Sequence, residues 1–349
     1  MRTQTSHEGS QRTVSSHRSS SSLEQEQAAH RRLVVVIVGA SSGIGHAAAV
    51  AFARRGARLV LAARSADTLA PVVTECIAEG TSALGIPTDV TDADAVRKLA
   101  DRAISHYGHI DVWVNAAGVG AVGRFDGVPL SASRRVIESN LMGHLHGAHA
   151  AIQHFRETGR GLLVNLNSMG GWVGTPFAAA YSASKFGVRG LSESLRAEVA
   201  DLPNVHICDV APTLVDTPGL ANGANYTGRR LRMPLPMLDP RRVAQTIVAL
   251  AYSSHPRPVT WLGAAALPGR VAHAVSPTLV GKVMNWFGAR GLRHAEPAPL
   301  SDGNLYEPSV DTGIDGGVRS ARTEAATAAI VLGTVGLAIG WWVGSRTRR

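Results

Sequence analysis

Tyr181 and Lys185 stand four positions apart in the run Tyr181-Ser182-Ala183-Ser184-Lys185. On a helix, that spacing places both side chains on one face. An ammonium beside a phenol lowers the phenol's pKa from its usual value near ~10. The pair then becomes a proton donor and acceptor usable near neutral pH. Ser168 lies upstream, at the end of an apolar run. A glycine-rich turn, Gly39-Ala40-Ser41-Ser42-Gly43-Ile44-Gly45, follows the first apolar run of the chain. Two hydroxyls, a cation and a turn suited to phosphates point together to oxidoreductase chemistry.

The elements that must position these residues alternate along the chain. The continuous apolar stretch Leu33–Val38 predicts a strand covered on both faces, as in a parallel sheet. Residues 58–62, 82–87, 110–114, 161–166 and 205–210 read as further strands; residues 47–55, 93–107, 133–155 and 180–199 read as helices. This repeated βαβ pattern predicts an α/β fold with a doubly wound parallel sheet. Residues 1–30, rich in Ser, Gln, His and Arg, predict a disordered tail. Residues 31–262 form the catalytic domain. Residues 263–324 read as a C-terminal extension with a last strand, an amphipathic helical cap and a polar linker over 293–323.

The final segment differs in kind. From Ala325 to Val343 there is no charged residue, and Trp341-Trp342 stand near its end. At ~1.5 Å per residue that run reaches ~30 Å, the thickness of a bilayer's hydrocarbon core. A transmembrane helix over 325–345 is therefore predicted, a single-pass C-terminal anchor with the catalytic domain on the cytoplasmic side. Gly336, Gly340 and Gly344 would line one of its faces.

Composition narrows the partners. The formal charge of +9 is concentrated in arginines near both ends and between Arg229 and Arg242. No basic run is interleaved with aromatics and no DNA- or RNA-binding motif occurs, which argues against nucleic acid. Cys76 and Cys208 lack metal-ligand spacing and read as buried thiols. His144, His146, His149 and His154 share one predicted helix without an acidic or cysteine partner, so no metal site is assigned.

The glycine turn has the form G-x-x-x-G-x-G between strand and helix. Its glycines let the backbone approach a pyrophosphate, and the helix N-terminus favours the anion. The second strand ends Ala63-Arg64, where an enzyme that selects NAD usually carries a carboxylate for the ribose hydroxyls. An arginine without an acid beside it suits a 2′-phosphate, so NADP(H) is expected as cofactor. Asp89, in Thr88-Asp89-Val90, could accept from the adenine amine or cap the helix that starts near Asp92.

Gly39-x3-Gly43-x-Gly45, Asn115-Ala116-Ala117-Gly118, Asn140, Ser168 and Tyr181-x3-Lys185 together resemble the short-chain dehydrogenase/reductase superfamily in order and spacing, over about residues 33–260. The resemblance implies a Rossmann-type single domain with about seven parallel strands. It implies Tyr181 as catalytic acid/base, Lys185 as the cation that lowers its pKa and holds the nicotinamide ribose, and Ser168 as the donor to the substrate oxygen. Asn140 would complete a proton relay through a water beside Lys185. Asp89 and Val90 would flank adenine, and Asn115 and Gly118 would shape the turn beside the cofactor. Thr217 matches the position of a carboxamide contact. Two departures stand out: Ala116 replaces the second Asn of the Asn-Asn-Ala-Gly run, and Pro212-Thr213 replaces Pro-Gly. Gly170, Gly171, Trp172 and Phe177 are expected to border the substrate, and residues 214–230 to form a mobile lid.

The implied reaction interconverts a carbonyl and an alcohol, on an apolar substrate if the anchor brings the site to lipid. A homo-oligomer follows only by analogy of fold. A non-catalytic nucleotide sensor or scaffold would not need Ser168, Tyr181 and Lys185 together. An epimerase or dehydratase of related fold would need a larger C-terminal substrate domain.

Overall fold

The computed structural model describes residues 32–231, 237–264, 266–309 and 312–319. Seven strands and nine helices carry the argument: β1 (Val34–Val38), α1 (Gly43–Ala53), β2 (Arg58–Ala63), α2 (Ala66–Ala78), β3 (Ala83–Pro87), α3 (Ala93–Tyr107), β4 (Val112–Asn115), α4 (Leu130–Ile137), α5 (Gly143–Thr158), β5 (Arg160–Leu166), α6 (Ala179–Glu198), β6 (Asn204–Pro212), α7 (Pro240–Ala251), β7 (Val259–Leu262), α8 (Ala266–Val275) and α9 (Pro277–His294). The sheet is parallel throughout, in the order β3-β2-β1-β4-β5-β6-β7.

Every residue of β1 is buried. Alternate side chains serve opposite faces. Val35 and Ile37 join the core beneath α1, α2 and α7, with Phe52, Leu69 and Ile247. Val36 and Val38 join the core beneath α3, α5 and α6, with Leu99, Phe155 and Leu195. This explains why β1 reads as an unbroken apolar run rather than an alternating one. The strand order reverses between β1 and β4. That opens a crevice at the carboxyl ends of the strands, where an open α/β sheet receives ligands.

Several boundaries depart from the sequence reading. The expected single helix over 133–155 is α4 and α5 joined by a π-helical turn, Glu138–Met142. Helix α2 was not expected, because Pro71 inside it removes an N–H and argues against a helix. Helix α7 was also missed, although Asp239 caps it, accepting from the Arg241 amide, and Pro240 opens it. The stretch 214–230, expected as a mobile lid, is tied down. Ala224–Asn225 pairs with Ala121–Val122 in a two-stranded sheet, and Asn225 also bridges Ser301. Of the stretch 293–323, expected as a polar linker, the described parts 293–309 and 312–319 fold back over the domain: Leu305 is fully buried there. The expected disordered tail over 1–30 and the expected transmembrane helix over 325–345 lie outside the described residues. Among the described residues, no helix is long and apolar enough to cross a membrane.

Candidate active site

Strand β5 delivers Ser168 to the crevice. The Ser168 amide donates to Asn167 Oδ1 at 2.9 Å, and Ser168 Oγ accepts from the Gly170 amide at 3.1 Å. This caps the single 3-10 turn Met169–Gly171. The turn lies directly on α6: a Cβ on Gly170 would sit 3.1 Å from Tyr181 Cε1, and one on Gly171 would sit 2.8 Å from the Lys185 carbonyl oxygen. The two glycines thus let the Ser168 turn pack directly on the Tyr181 ring, close enough for Ser168 to favour the phenolate.

Lys185 is buried one helical turn on. Its Nζ donates to the Leu166 carbonyl at 2.8 Å and stands 5.9 Å from the centre of the Tyr181 ring. Burial pushes the ammonium down to about 8, opposed by the charge of Asp209. The phenol moves the other way from the sequence expectation. Burial raises Tyr181 above its ordinary value, and the Ser168 hydrogen bond only partly offsets this. At this separation the ammonium is not what governs the phenol, so Tyr181 holds its proton at neutral pH.

Asn140 sits at the centre of the π turn and is fully buried. Its Oδ1 accepts from the Val119 amide at 2.8 Å, and its Nδ2 donates to the Val119 carbonyl at 3.0 Å and to Ser184 Oγ at 3.1 Å. The extra residue of a π turn re-aims one side chain out of the regular helical succession. Here it turns the carboxamide into a clamp on the loop after β4. Both N–H groups of that amide are engaged by protein, so the side chain fixes the loop. Gly118 completes the wall; a Cβ there would lie 3.4 Å from Asn140 Oδ1 and 4.0 Å from Lys185 Nζ. Asn115 accepts from Trp113 Nε1 and donates to the His144 carbonyl and to Asn165 Oδ1, which ties β4 to α5 and β5.

The glycine turn has the shape its sequence requires. Gly39 has a φ of +89°, in the left-handed region. A Cβ on Gly45 would lie 2.0 Å from the Gly39 carbonyl oxygen, so no side chain fits where α1 begins. With the N-terminus of α1 beside this turn, the residues present fit a dinucleotide pyrophosphate. Ser41, Ser42 and Ile44 lie in the same turn. Thr217 packs against Gly43, its side chain 3.1 Å from where a Cβ would be. It opens the one-turn helix Pro218–Ala221.

Two expected contacts are engaged by the protein itself. Asp89 Oδ1 accepts from the Thr91 amide and hydroxyl, and its Oδ2 accepts from Arg135 at 3.2 Å. Helix α3 is capped by Asp92, not by Asp89. Val90 packs beside them, its carbonyl held by His146. The Arg64 guanidinium donates to four main-chain carbonyls, those of Asn304, Leu305, Tyr306 and Glu307, at 2.8 to 3.1 Å.

Sequence reasoning passes over Asp209, fully buried on β6 and held by Ser192 Oγ at 2.8 Å and Arg196 Nη1 at 3.1 Å. An acid on a strand is unusual enough to be a signal. The histidines are not a cluster. His144 is buried behind Lys185 and pushed down to about 3, mainly by burial. His154 Nε2 accepts from the Ile110 amide. Among the described residues, no group of side chains is arranged to hold a metal ion.

A cavity of about 450 Å³ opens beside Phe177 and Tyr226, closed on its far side by Asn285, Ala289 and Leu292 of α9. Phe177 has a φ of +64°, a strained value for an aromatic residue. The Gly123 amide, which donates to its carbonyl, holds it there. Trp172 is buried against Trp261 and borders β7.

A crevice at the strand reversal, a phosphate-compatible turn and a Ser–Tyr–Lys constellation define a nucleotide-dependent oxidoreductase. The short chain dehydrogenase family matches residues 33–225, and the chain belongs to that family. It is similar to an uncharacterized oxidoreductase, YxnA, of Bacillus subtilis, with 30% identity over 323 residues, 89% of this chain and 90% of the relative. It is also similar to the cis-4-hydroxycyclohexanecarboxylate dehydrogenase of Sinomonas cyclohexanicum, with 38% identity covering 61% of this chain and 86% of the relative. Among solved structures, an alcohol dehydrogenase of Thermococcus sibiricus complexed with 5-hydroxy-NADP aligns with a TM-score of 0.58 and 28% identity, covering 66% of this chain and 96% of that one.

Proposed function

We propose that this oxidoreductase interconverts a carbonyl and an alcohol with NADP(H), on an apolar substrate met at a membrane surface. The observation that carries the reaction is the packing of the Ser168 turn against the Tyr181 ring, with a buried Lys185 5.9 Å from the ring centre. The Ser168 and Tyr181 hydroxyls would meet the charge that grows on a carbonyl oxygen. Tyr181, protonated at neutral pH, is set to donate during reduction and to accept during oxidation. Ser168 fixes the direction of approach, and Leu166 and Asn140 hold Lys185 and the loop wall in place.

When bound, the nicotinamide supplies or accepts the hydride. Gly39, Gly43 and Gly45 would hold its pyrophosphate, Lys185 its ribose, Thr217 its amide end, and Asp89 its adenine. NADP(H) is favoured because β2 ends in Ala63-Arg64 without a carboxylate, and a similar structure is described as an NADP complex.

The outer face of α8 and α9 supports the membrane reading. Leu267, Val271 and Val275 recur at i, i+4 and i+8; Leu279, Val283, Trp286 and Phe287 continue the pattern, and all are exposed. No acidic residue occurs between Asp239 and Glu296, whereas Arg270, Lys282, Arg290 and Arg293 do. An apolar stripe with cationic flanks suits an anionic lipid surface. Cofactor oxidation with ketones and aldehydes of rising chain length tests the reaction. Tyr181→Phe should lose ~10²-fold or more in kcat while still binding cofactor; turnover at the unmutated rate would refute the assignment.

A further inference from the structure

The C-terminal segment follows the route of the dinucleotide. Its first part meets the adenine side. The carbonyls of Asn304 through Glu307 surround the Arg64 guanidinium, and the Leu305 carbonyl also accepts from Arg135 Nε at 3.0 Å. Arg135 in turn grips Asp89. The Leu305 side chain is fully buried among Ala121, Ala132, Val136 and Ala224, in the cluster on which the Tyr181 ring packs. Further along, the Gly313 carbonyl accepts from the Gly43 amide at 2.9 Å, at the N-terminus of α1. The Thr312 carbonyl pairs with His46 Nδ1 at 2.9 Å. The last part meets the nicotinamide side. The Asp216 carboxylate accepts from the Val318 and Arg319 amides, and Gly316 donates to the Asp216 carbonyl, beside Thr217. Outside the cleft, Asp315 locks the segment to Arg241 through two bonds of 2.7 Å.

In chain order, the segment therefore visits the expected adenine, pyrophosphate and nicotinamide ends. It offers carbonyl oxygens where a cofactor would offer phosphate oxygens. We propose that residues 304–309 and 312–319 form a built-in competitor, an autoinhibitory strap that the dinucleotide must displace to be seated. This rests on the NADP(H) reading above. A cover lying over a bound cofactor would leave the Arg64 guanidinium and the Gly43 amide to that cofactor; here the strap engages both. Neutral carbonyls also hold a guanidinium less strongly than a phosphate does, so a dinucleotide can win the exchange.

The test uses the full chain, NADPH fluorescence titration and hydrogen exchange. Asp315→Ala removes an anchor outside the cleft and should tighten NADPH binding ~3-fold. Leu305→Asp ejects the buried plug and should tighten it ~10-fold or more. Adding NADPH to the unmutated protein should speed amide exchange in the strap while slowing it in 39–45. Binding seen only in the released variants would support the proposal equally. Slower exchange in both segments, or weaker binding in both variants, would show a clamp over the cofactor and overturn the proposal. If no variant binds NADPH or NADH, the cofactor reading itself fails, and the strap proposal with it.

Discussion

Replacing Asn140 separates its role as a clamp from any role in proton transfer. Its amide makes three hydrogen bonds from a fully buried position, two of them to the main chain of Val119. Asn140→Ala leaves the half-buried Val119 N–H and C=O without a protein partner. At ~1 kcal/mol for each lost bond, the cost is ~2–3 kcal/mol, a fall of ~4–10 °C in melting temperature. Asn140→Asp is the sharper probe. It keeps the acceptor for the Val119 amide but faces the Val119 carbonyl and Ser184 Oγ with a second acceptor. Ser184 cannot easily reverse, because its hydroxyl donates to the Tyr181 carbonyl at 2.7 Å. At pH 7 the aspartate variant should therefore be at least as unstable as the alanine variant, despite its matching shape. Protonation restores a donor, so its deficit should shrink toward pH 5. Circular-dichroism melts of the three proteins at pH 5 and pH 7 supply the test. An aspartate variant as stable as the parent at pH 7 would refute the clamp.

Further outcomes follow from the same geometry. Lys185, held near 8 when folded against 10.5 otherwise, is charged in both states below pH 8, and there the folded protein bears the burial penalty. Between pH 8 and 10.5 the unfolded chain keeps a proton that the folded chain has released, so stability should rise with pH, and Lys185→Met should abolish that rise in denaturant titrations. Gly45→Ala drives a Cβ into the Gly39 carbonyl, a backbone atom that no rotamer can move aside; it should cost ~1–3 kcal/mol and lose NADPH binding, read by thermal melts and fluorescence. Trp286→Glu should lower sedimentation with anionic vesicles in proportion to the share contributed by the α8–α9 face, with equal binding by variant and parent counting against that face.

The chemistry was legible where it is local. Tyr181 and Lys185 share a helix face, Ser168 ends a strand, and Gly39 to Gly45 bridges strand and helix; each is a short-range pattern with a fixed period. Six of the seven strands followed from the same alternation, and the count of seven came with the family resemblance. What stayed hidden depends on partners far along the chain. The Asn140 π turn has no periodic signature and is held by Val119 across a loop. The direction of the Tyr181 shift is set by how far the folded chain shields the phenol from water, which four-residue spacing cannot convey. Arg64 was read as the partner of a 2′-phosphate, yet the oxygens it finds here belong to the main chain of residues 304–307, which carry no periodic pattern.

The Arg64 cage is made wholly of peptide oxygens. Every amino acid supplies one, so the side chains from Asn304 to Glu307 can drift while the cage persists, provided that Leu305 keeps an apolar plug. Alignments score side chains and would overlook such a device in distant relatives. Tail length and a single apolar anchor would be the better markers to follow.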